Sequence, residues 1–413
     1  MFNPPSRRLR TSEAAARLGV KPQTLYSYVS RGLLSRERTA GGSTFDAREV
    51  EHLARTARNA GGVPRAERPL AFVTELTLIE DGRLYYRGRD AVGLAAAAQF
   101  EAVGEWLWSG RWPERDAGAV AWWDPTAGGG VEAADAVVRA LPERATLLAR
   151  LSAATVAAGS ADPMRHDRSA TGVAAVGRRL LWSMVAAVTP PGAGVDPGCG
   201  VAAALAGALA ARAGAEPPGD AGVDAVRAAL VLMADHELAP STLAVRVAAS
   251  LGADPYAAVL CGLGAVGGTR HGGASVEVYR MLRDAEAGGG PSAVGDRLAR
   301  AGGLPGFGMV LYPGGDPRGA ALLERALAIG GGGQRRVAVE AVLDALDGRD
   351  VAPPNCDFGL AAAAYVLGLG PEAGEAMFVI GRTAGWLAHA AEEYSSPSSF
   401  RVRAAYTGTR PIS

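Results

Sequence analysis

The sequence predicts an all-α protein in which a small basic front domain precedes a much larger helical body. Three observations carry that prediction. Ala-rich amphipathic windows recur through most of the chain. Aromatic residues are only 6% of a composition that is 48% hydrophobic and 20% charged, which favours packed helices over sheets and over disorder. Finally, Lys+Arg and Asp+Glu are both 42, yet residues 1–68 hold thirteen basic and six acidic side chains. A chain of 413 residues is long enough for two or three domains of about 100 to 200 residues each. Only its front end carries the charge to seek a polyanion.

The front domain is expected over residues 1–58. Thr11 or Ser12 can cap a helix with apolar Ala14, Ala15 and Leu18, and Gly19 is placed to stop it. A second helix starts near Pro22, where Leu25 and Val29 lie four apart. That spacing leaves Lys21, Gln23, Thr24, Tyr28 and Arg31 largely on the outer face. Arg36, Arg38 and the Gly41-Gly42 pair read as a small basic wing, and a third helix is expected near residues 46–55. This order is similar to the winged helix-turn-helix of the MerR and excisionase type, in which the second helix enters the major groove and the wing touches phosphates. The resemblance implies DNA contacts from Lys21, Gln23, Thr24, Tyr28, Arg31, Arg36 and Arg38. The plain alternative is a helical unit that docks a partner protein. Residues 59–68, with two glycines, a proline and three charges, read as a linker.

The body, residues 69–413, opens on a β-like stretch near residues 72–79. Asp81-Gly82 then makes a hairpin-type turn into Leu84-Tyr85-Tyr86-Arg87-Gly88. Amphipathic windows follow at 135–141, 146–158, 173–188, 201–213, 223–234 and 318–329. The glycine clusters at 128–130, 288–291 and 330–333 read as low-complexity loops, and none follows a strand as a phosphate-binding loop must.

Cys199, Cys261 and Cys356 are too few and too scattered for a disulfide framework or a paired-cysteine metal site. The longest apolar stretch, residues 201–211, is far short of a membrane span, and no apolar signal region follows the early arginines. The expectation is a cytoplasmic protein without metal or permanently bound cofactor.

Five histidines are present. His52 and His389 sit in presumed helical runs and read as structural, and His166 lies among charges. His236 stands between Asp235 and Glu237 at the end of an apolar helix, while His271 is flanked by glycines that admit a close ligand. Pro353-Pro354-Asn355-Cys356-Asp357-Phe358 presents a carboxylate among apolar neighbours, a setting that raises its pKa toward that of a useful base. A lone histidine beside glycine is more often a loop residue, so it is the combination that matters.

These segments, in this order, resemble the citrate synthase family. The shared blocks are Tyr86-Arg87-Gly88, Ala234-Asp235-His236-Glu237, Arg270-His271-Gly272-Gly273, Gly306-Phe307-Gly308 with Tyr312, Asp316-Pro317-Arg318, Asn355-Cys356-Asp357-Phe358, and Gly381-Arg382-Thr383-Ala384-Gly385-Trp386. The resemblance implies a homodimer in which a large helical domain carries a smaller inserted one, here at about residues 228–340, that closes over acetyl-CoA and oxaloacetate. It also implies an acyltransferase that condenses an acyl-CoA with a 2-oxo acid and releases CoA. Asp357 would be the base and His271 the donor to the thioester oxygen, with His236, Arg318, Arg382 and the partner subunit's Arg401 holding the dicarboxylate; Arg403 is the neighbouring alternative to Arg401. Any one of these arginines, taken alone, reads as an ordinary surface ion pair.

One position departs from the family. Its members carry a histidine after Gly-Phe-Gly that polarises the ketone, whereas this chain has Met309, whose thioether cannot donate that bond. Ser275 likewise stands where Asn is common. The basic front unit and the departure at Met309 together motivate a second expectation, a DNA-binding regulator whose impaired synthase scaffold senses a CoA thioester or a dicarboxylate.

Overall fold

The computed structural model describes the chain except residues 1–7, 19, 31–33, 40–41, 48, 51–72, 114–122, 124–128, 194–195, 269–272, 300–302, 331–332, 399 and 401–413. The chain divides into two compact units, Met1–Val73 and Thr74–Ser413. The expected linker, most of the third front helix with His52, and Arg31, His271, Arg401 and Arg403 lie outside the described residues.

In the first unit, strand β1 (Arg8–Arg10) leads into α1 (Thr11–Leu18) and α2 (Pro22–Ser30), followed by β2 (Arg36–Thr39) and β3 (Gly42–Asp46). The strands form one antiparallel sheet in the order β1-β3-β2. Leu9, Ala14, Ala15, Leu25, Leu34, Phe45 and Val50 close a small core beneath it. The start of α1 differs from expectation. The Thr11 hydroxyl donates to the Ser43 carbonyl at 3.1 Å, while the Glu13 carboxylate accepts the Arg10 N–H at 2.8 Å. Glu13 therefore satisfies the helix entry, and Thr11 ties the helix to the wing.

The second unit opens with the antiparallel strands β4 (Thr77–Glu80), β5 (Arg83–Tyr86) and β6 (Arg89–Asp90). Asp81 and Gly82 sit at φ 50° and 73°, the paired left-handed turn that a two-residue hairpin requires. The rest is helical: α3 (Ala91–Ala97), α4 (Phe100–Ser109), α5 (Gly130–Arg139), α6 (Leu147–Ala161), α7 (Ala170–Val188), α8 (Gly200–Ala213), α9 (Asp220–Met233), α10 (Pro240–Ser250), α11 (Pro255–Val266), α12 (Ala274–Gly288), α13 (Gly290–Leu298), α14 (Pro317–Ala328), α15 (Gly333–Asp344), α16 (Cys356–Val366) and α17 (Ala373–Ser395). Each of the six expected windows falls on a helix. The loop expected at 288–291 shrinks to Gly289, at φ 86°, because Gly288 closes α12 while Gly290 and Pro291 open α13.

Two apolar cores organise this unit. The larger joins the hairpin to α3 through α11 and α17, including residues 228–234 and the inner faces of α10 and α11. The smaller is built by α12 through α16, with Val278, Met281, Val339, Val342 and Phe358 at its centre. Helix α16 serves both: Leu360 and Ala364 face the larger core, while Phe358, Ala361 and Ala362 face the smaller. Its first turn, which carries Asp357, therefore lies at the seam.

Candidate active site

The site is assembled from four stretches, each held by an identifiable packing constraint. The first is the exit of α9. The Tyr86 hydroxyl lies 3.1, 2.9 and 3.1 Å from the carbonyl oxygens of Val231, Leu232 and Asp235, at the exit of the helix where carbonyls lose their intrahelical partners. Asp235 is fully buried, and its Oδ2 accepts from Thr77 and from His389 Nε2. Burial pushes the Asp235 carboxyl up, but His389, Arg382 and Thr77 together hold it below its ordinary value. His236 follows, buried, with its Nε2 2.9 Å from the Tyr312 hydroxyl. Burial first, and then the charges of Arg318 and Arg382, keep His236 well below the ordinary imidazole value, so it is neutral near pH 7. Glu237 then adopts φ 54°, a left-handed conformation that a non-glycine residue takes only under constraint.

The second stretch is α17. Its Gly381 and Gly385 lie against the end of α9: an added methyl at Gly381 would come within 2.7 Å of the Leu230 carbonyl oxygen, and one at Gly385 would overlap Ala234. The Gly385 N–H donates to the Ala234 carbonyl at 2.9 Å. This close approach seats Arg382 beside His236, where its Nε donates to the Met233 carbonyl at 2.8 Å and its guanidinium lies 4.9 Å from the Phe378 ring. The Arg382 Nη2 is buried with no hydrogen-bond partner among the described residues. A buried, incompletely bonded guanidinium edge is a site for an anion.

The third stretch begins α14. Asp316 caps that helix and receives the Arg318 side chain in a two-pronged pair, Nε to Oδ1 at 3.0 Å and Nη2 to Oδ2 at 2.8 Å. Asp316 also accepts the Cys356 N–H at 3.1 Å, which fastens α14 to α16. The two helices touch glycine to glycine. A methyl on Gly319 would overlap the Asn355 backbone, and one on Gly359 would come within 2.7 Å of Leu322.

The fourth stretch pairs the loop before α16 with residues 306–309. Gly308 N–H donates to the Pro353 carbonyl at 2.8 Å, and Asn355 N–H donates to the Gly306 carbonyl at 2.9 Å. The Asn355 side chain bonds both ways, its Nδ2 to the Gly308 carbonyl at 2.9 Å and its Oδ1 from the Asp357 N–H at 2.9 Å. Positive φ values at Gly306 and Gly308, 82° and 76°, allow the loop to turn this tightly. Burial pushes the Asp357 carboxyl from its ordinary 3.8 up to about 6, with Arg318 pulling it down and Asp316 adding to the rise. Burial also raises the neighbouring Cys356 thiol, which stays protonated.

His236, Met309, Arg318, Asp357 and Arg382, expected from five separate segments, line one cavity of about 510 Å³. Glu237, Leu238, Ala239, Pro240, Leu311, Cys356 and Phe378 complete its wall; Glu237 and Cys356 stood in the family blocks, and the sequence marked none of the others. Asp316 and Tyr312 stood within the quoted blocks, but their bonds to Arg318 and His236 had no signal in the sequence. A raised carboxylate, a neutral imidazole and two guanidinium groups around a cavity of this size can take a proton from a weak acid and hold an organic anion. No group of His, Cys, Asp and Glu suited to a metal ion occurs among the described residues.

In the first unit, Lys21 is exposed just ahead of α2, while Thr24 and Arg36 are half-buried. Gln23 and Arg38 belong to α2 and β2, but their side chains lie outside the described part. Tyr28, expected on the outer face, is half-buried and packs against the small core, because a nine-residue helix over so few apolar residues recruits its ring.

Residues 66–403 match the family model for the citrate synthase C-terminal domain, and residues 10–42 match that for the MerR family regulatory protein. Citrate synthase 2 of Bacillus subtilis is 34% identical over 197 residues, which is 47% of this chain and 53% of that protein. The chain thus spans about half the length of that relative. The 2-methylcitrate synthase of Mycobacterium tuberculosis is 29% identical over 338 residues, 79% of this chain and 84% of the relative. Two solved structures share the fold. One is the ternary complex of citrate synthase from Thermoplasma acidophilum with carboxymethyl coenzyme A and oxaloacetate (TM-score 0.69, 24% identity, covering 83% of this chain and 95% of that one). The other is citrate synthase from Pyrobaculum aerophilum (TM-score 0.67, 23% identity, 92% and 96%).

Proposed function

The chain belongs to the citrate synthase family, and from that premise we propose that it condenses an acyl-CoA, acetyl-CoA by default, with a 2-oxo acid and releases CoA. The family's default acceptor is oxaloacetate. The observation that carries this reading is a carboxyl raised to about 6 at Asp357 in the same cavity as Arg318 and Arg382.

In this reading Asp357 takes a proton from the methyl group of the thioester, while His271 donates a hydrogen bond to the thioester oxygen, where negative charge develops. The enol carbon attacks the ketone of the 2-oxo acid, and hydrolysis of the new thioester frees CoA. Arg318, Arg382 and neutral His236 orient the acceptor, with Arg401 from the second subunit of a homodimer. Met309 offers the ketone no proton, and loss of one such donor lowers a rate by about a hundred- to a thousandfold, so turnover should be slow. CoA release by the purified protein, followed with a thiol reagent across acyl-CoAs and 2-oxo acids, tests the proposal. Release that disappears in Asp357→Ala supports it, and silence across the whole panel sinks it.

A second reading is favoured by the helix-turn-helix match at residues 10–42. The first unit binds DNA, and the synthase unit senses a CoA thioester or a dicarboxylate. Gel shifts on DNA from upstream of the coding region, with and without CoA esters, test it. Binding that ignores the ligand removes the sensor.

A further inference from the structure

The structure assigns to His236 the hydrogen bond that Met309 cannot give: its imidazole Nδ1–H is the donor to the ketone oxygen of the acceptor, and Tyr312 is the positioning residue that fixes the ring for it. This rests on the condensing activity proposed above, names the donor for its carbon–carbon bond-forming step and offsets part of the rate loss expected from Met309.

Met309 and His236 line the same cavity, so the two side chains face one ligand volume. The turn that seats the thioether there also brings in the tyrosine. Tyr312 N–H donates to the Met309 carbonyl at 2.9 Å, and the buried Tyr312 ring stands 5.6 Å from the His236 ring, its hydroxyl 2.9 Å from Nε2. Which atom donates follows from what would otherwise be left unpaired. Burial pushes the Tyr312 phenol up, against the opposing charge of Arg318, so it keeps its proton; among the described residues its only acceptor is Nε2. Were the ring proton on Nε2, the phenol proton would be buried without an acceptor, at a cost above the net worth of the bond. The hydroxyl therefore donates and Nε2 accepts, which leaves the proton of the neutral imidazole on Nδ1. Nδ1 has no partner among the described residues. Arg318, Arg382 and Arg401 can only donate, so none of them takes up that proton, and all three stay available to the carboxylates of the acceptor. As the enol carbon bonds to the ketone carbon, the C=O electron pair withdraws onto oxygen, where Nδ1–H stabilises it. His236 keeps its proton: the new hydroxyl gains one from solvent, which balances the proton that Asp357 takes from the methyl group. A neutral donor suits this place because it adds no charge beside two guanidinium groups.

The experiment uses the purified full chain and its variants Tyr312→Phe, His236→Asn and His236→Gln. Steady-state CoA release from acetyl-CoA and oxaloacetate is read, and separately, without acetyl-CoA, the infrared stretch of the isotope-labelled ketone carbonyl in bound oxaloacetate. An Asn amide places its nitrogen near the position of Nδ1, whereas a Gln amide reaches that of Nε2, so the pair separates the two ring nitrogens. The expected results are a ketone band shifted down in the unmodified protein, a shift lost in His236→Gln with kcat lower by about a hundredfold or more, and both partly kept in His236→Asn. Tyr312→Phe should lose part of the shift and about three- to tenfold in kcat, with the KM for oxaloacetate changed less. A band unshifted in the unmodified protein, a shift untouched in His236→Gln, or equal loss in both His236 variants overturns the inference, and CoA release in the same preparation leaves the condensing activity standing. A shift that depends on His236 without any CoA release sinks the condensing activity and upholds the donor. If the His236 variants do not fold, isotope-edited NMR of the five histidine rings decides: a ring protonated on Nδ1 that changes in Tyr312→Phe upholds the assignment, and the absence of such a ring overturns it.

Discussion

His389 Nε2 lies 3.1 Å from Asp235 Oδ2, so an imidazole on α17 holds the carboxylate that immediately precedes the cavity histidine. The other ring nitrogen, Nδ1, lies 3.0 Å from Arg246 Nη1. Arginine can only donate, so Nδ1 accepts and the proton on Nε2 goes to Asp235. Arg246 in turn bonds Glu393 at 2.6 Å and Glu392 at 2.9 Å. A buried chain of charges thus runs from α10 through the end of α17 to the segment bearing His236.

Replacing His389 by Ala should cost about 3 to 5 kcal/mol, because it strips a partner from a buried carboxylate. Urea denaturation would read this as a lower midpoint at unchanged slope. The loss should be partly recovered in His389→Asn, whose amide can still donate to Asp235. A midpoint unchanged in the alanine variant would show that the Asp235 charge is held by other means.

Asp357 sets a pH dependence whose sign can be worked out. Its carboxyl is raised from 3.8 to about 6 in the folded protein, so the base form is lost as pH falls through about 6. The rate of CoA release should decline tenfold per unit below that point. The same shift makes the charged form a burden on folding: the cost is absent below the unfolded value near 4, grows between about 4 and 6, and is full above. Asp357→Asn should therefore be inactive yet more stable at pH 8 by on the order of 2 kcal/mol, with the gain vanishing near pH 4. Parallel melts at the two pH values would reveal it, and a variant destabilised equally at both contradicts the buried, charged carboxylate.

Gly319→Ala should harm the site as well as the fold. A methyl there overlaps the Asn355 backbone, so α14 and α16 must separate, carrying Arg318 away from Asp357. Overpacking of this kind costs about 1 to 3 kcal/mol. The KM for the acceptor should rise while CoA-ester affinity changes less. Wild-type kinetics in this variant would mean that the helix contact has no part in aligning the two residues.

Lys21→Ala should weaken DNA binding by the first unit nearly uniformly across sequences and reduce the salt slope of log K by about one, as expected for a single phosphate contact. Fluorescence anisotropy at several salt concentrations measures the slope. An unaltered slope would move the phosphate contacts elsewhere on the unit.

Much of this was readable in the chain. The Asp81-Gly82 turn, the helix-turn-helix order and the alanine-rich windows rest on local geometry, in which neighbouring residues decide the backbone. What escaped local reading were glycines with a double meaning. Gly381 and Gly385 look like helix breakers, yet they lie inside a 23-residue helix, where small size lets α9 approach. Gly319 and Gly359 do the same for α14 and α16. Helix α11 is apolar on every face in sequence, although Cys261 and Gly264 are exposed, so it lacks the one-sided pattern that marks a helix at the surface.

The sequence by itself determined the helical class, the basic front unit and which titratable residues were candidates, because composition, spacing and local backbone preference are properties of short segments. Only the tertiary structure decided that His236 is neutral, that Arg318 pairs with Asp316, and that the Arg382 Nη2 is buried without a partner among the described residues. Those outcomes depend on burial and on charges brought together from distant segments, and the free energy of a charge in a cavity is set by everything around it rather than by its neighbours along the chain.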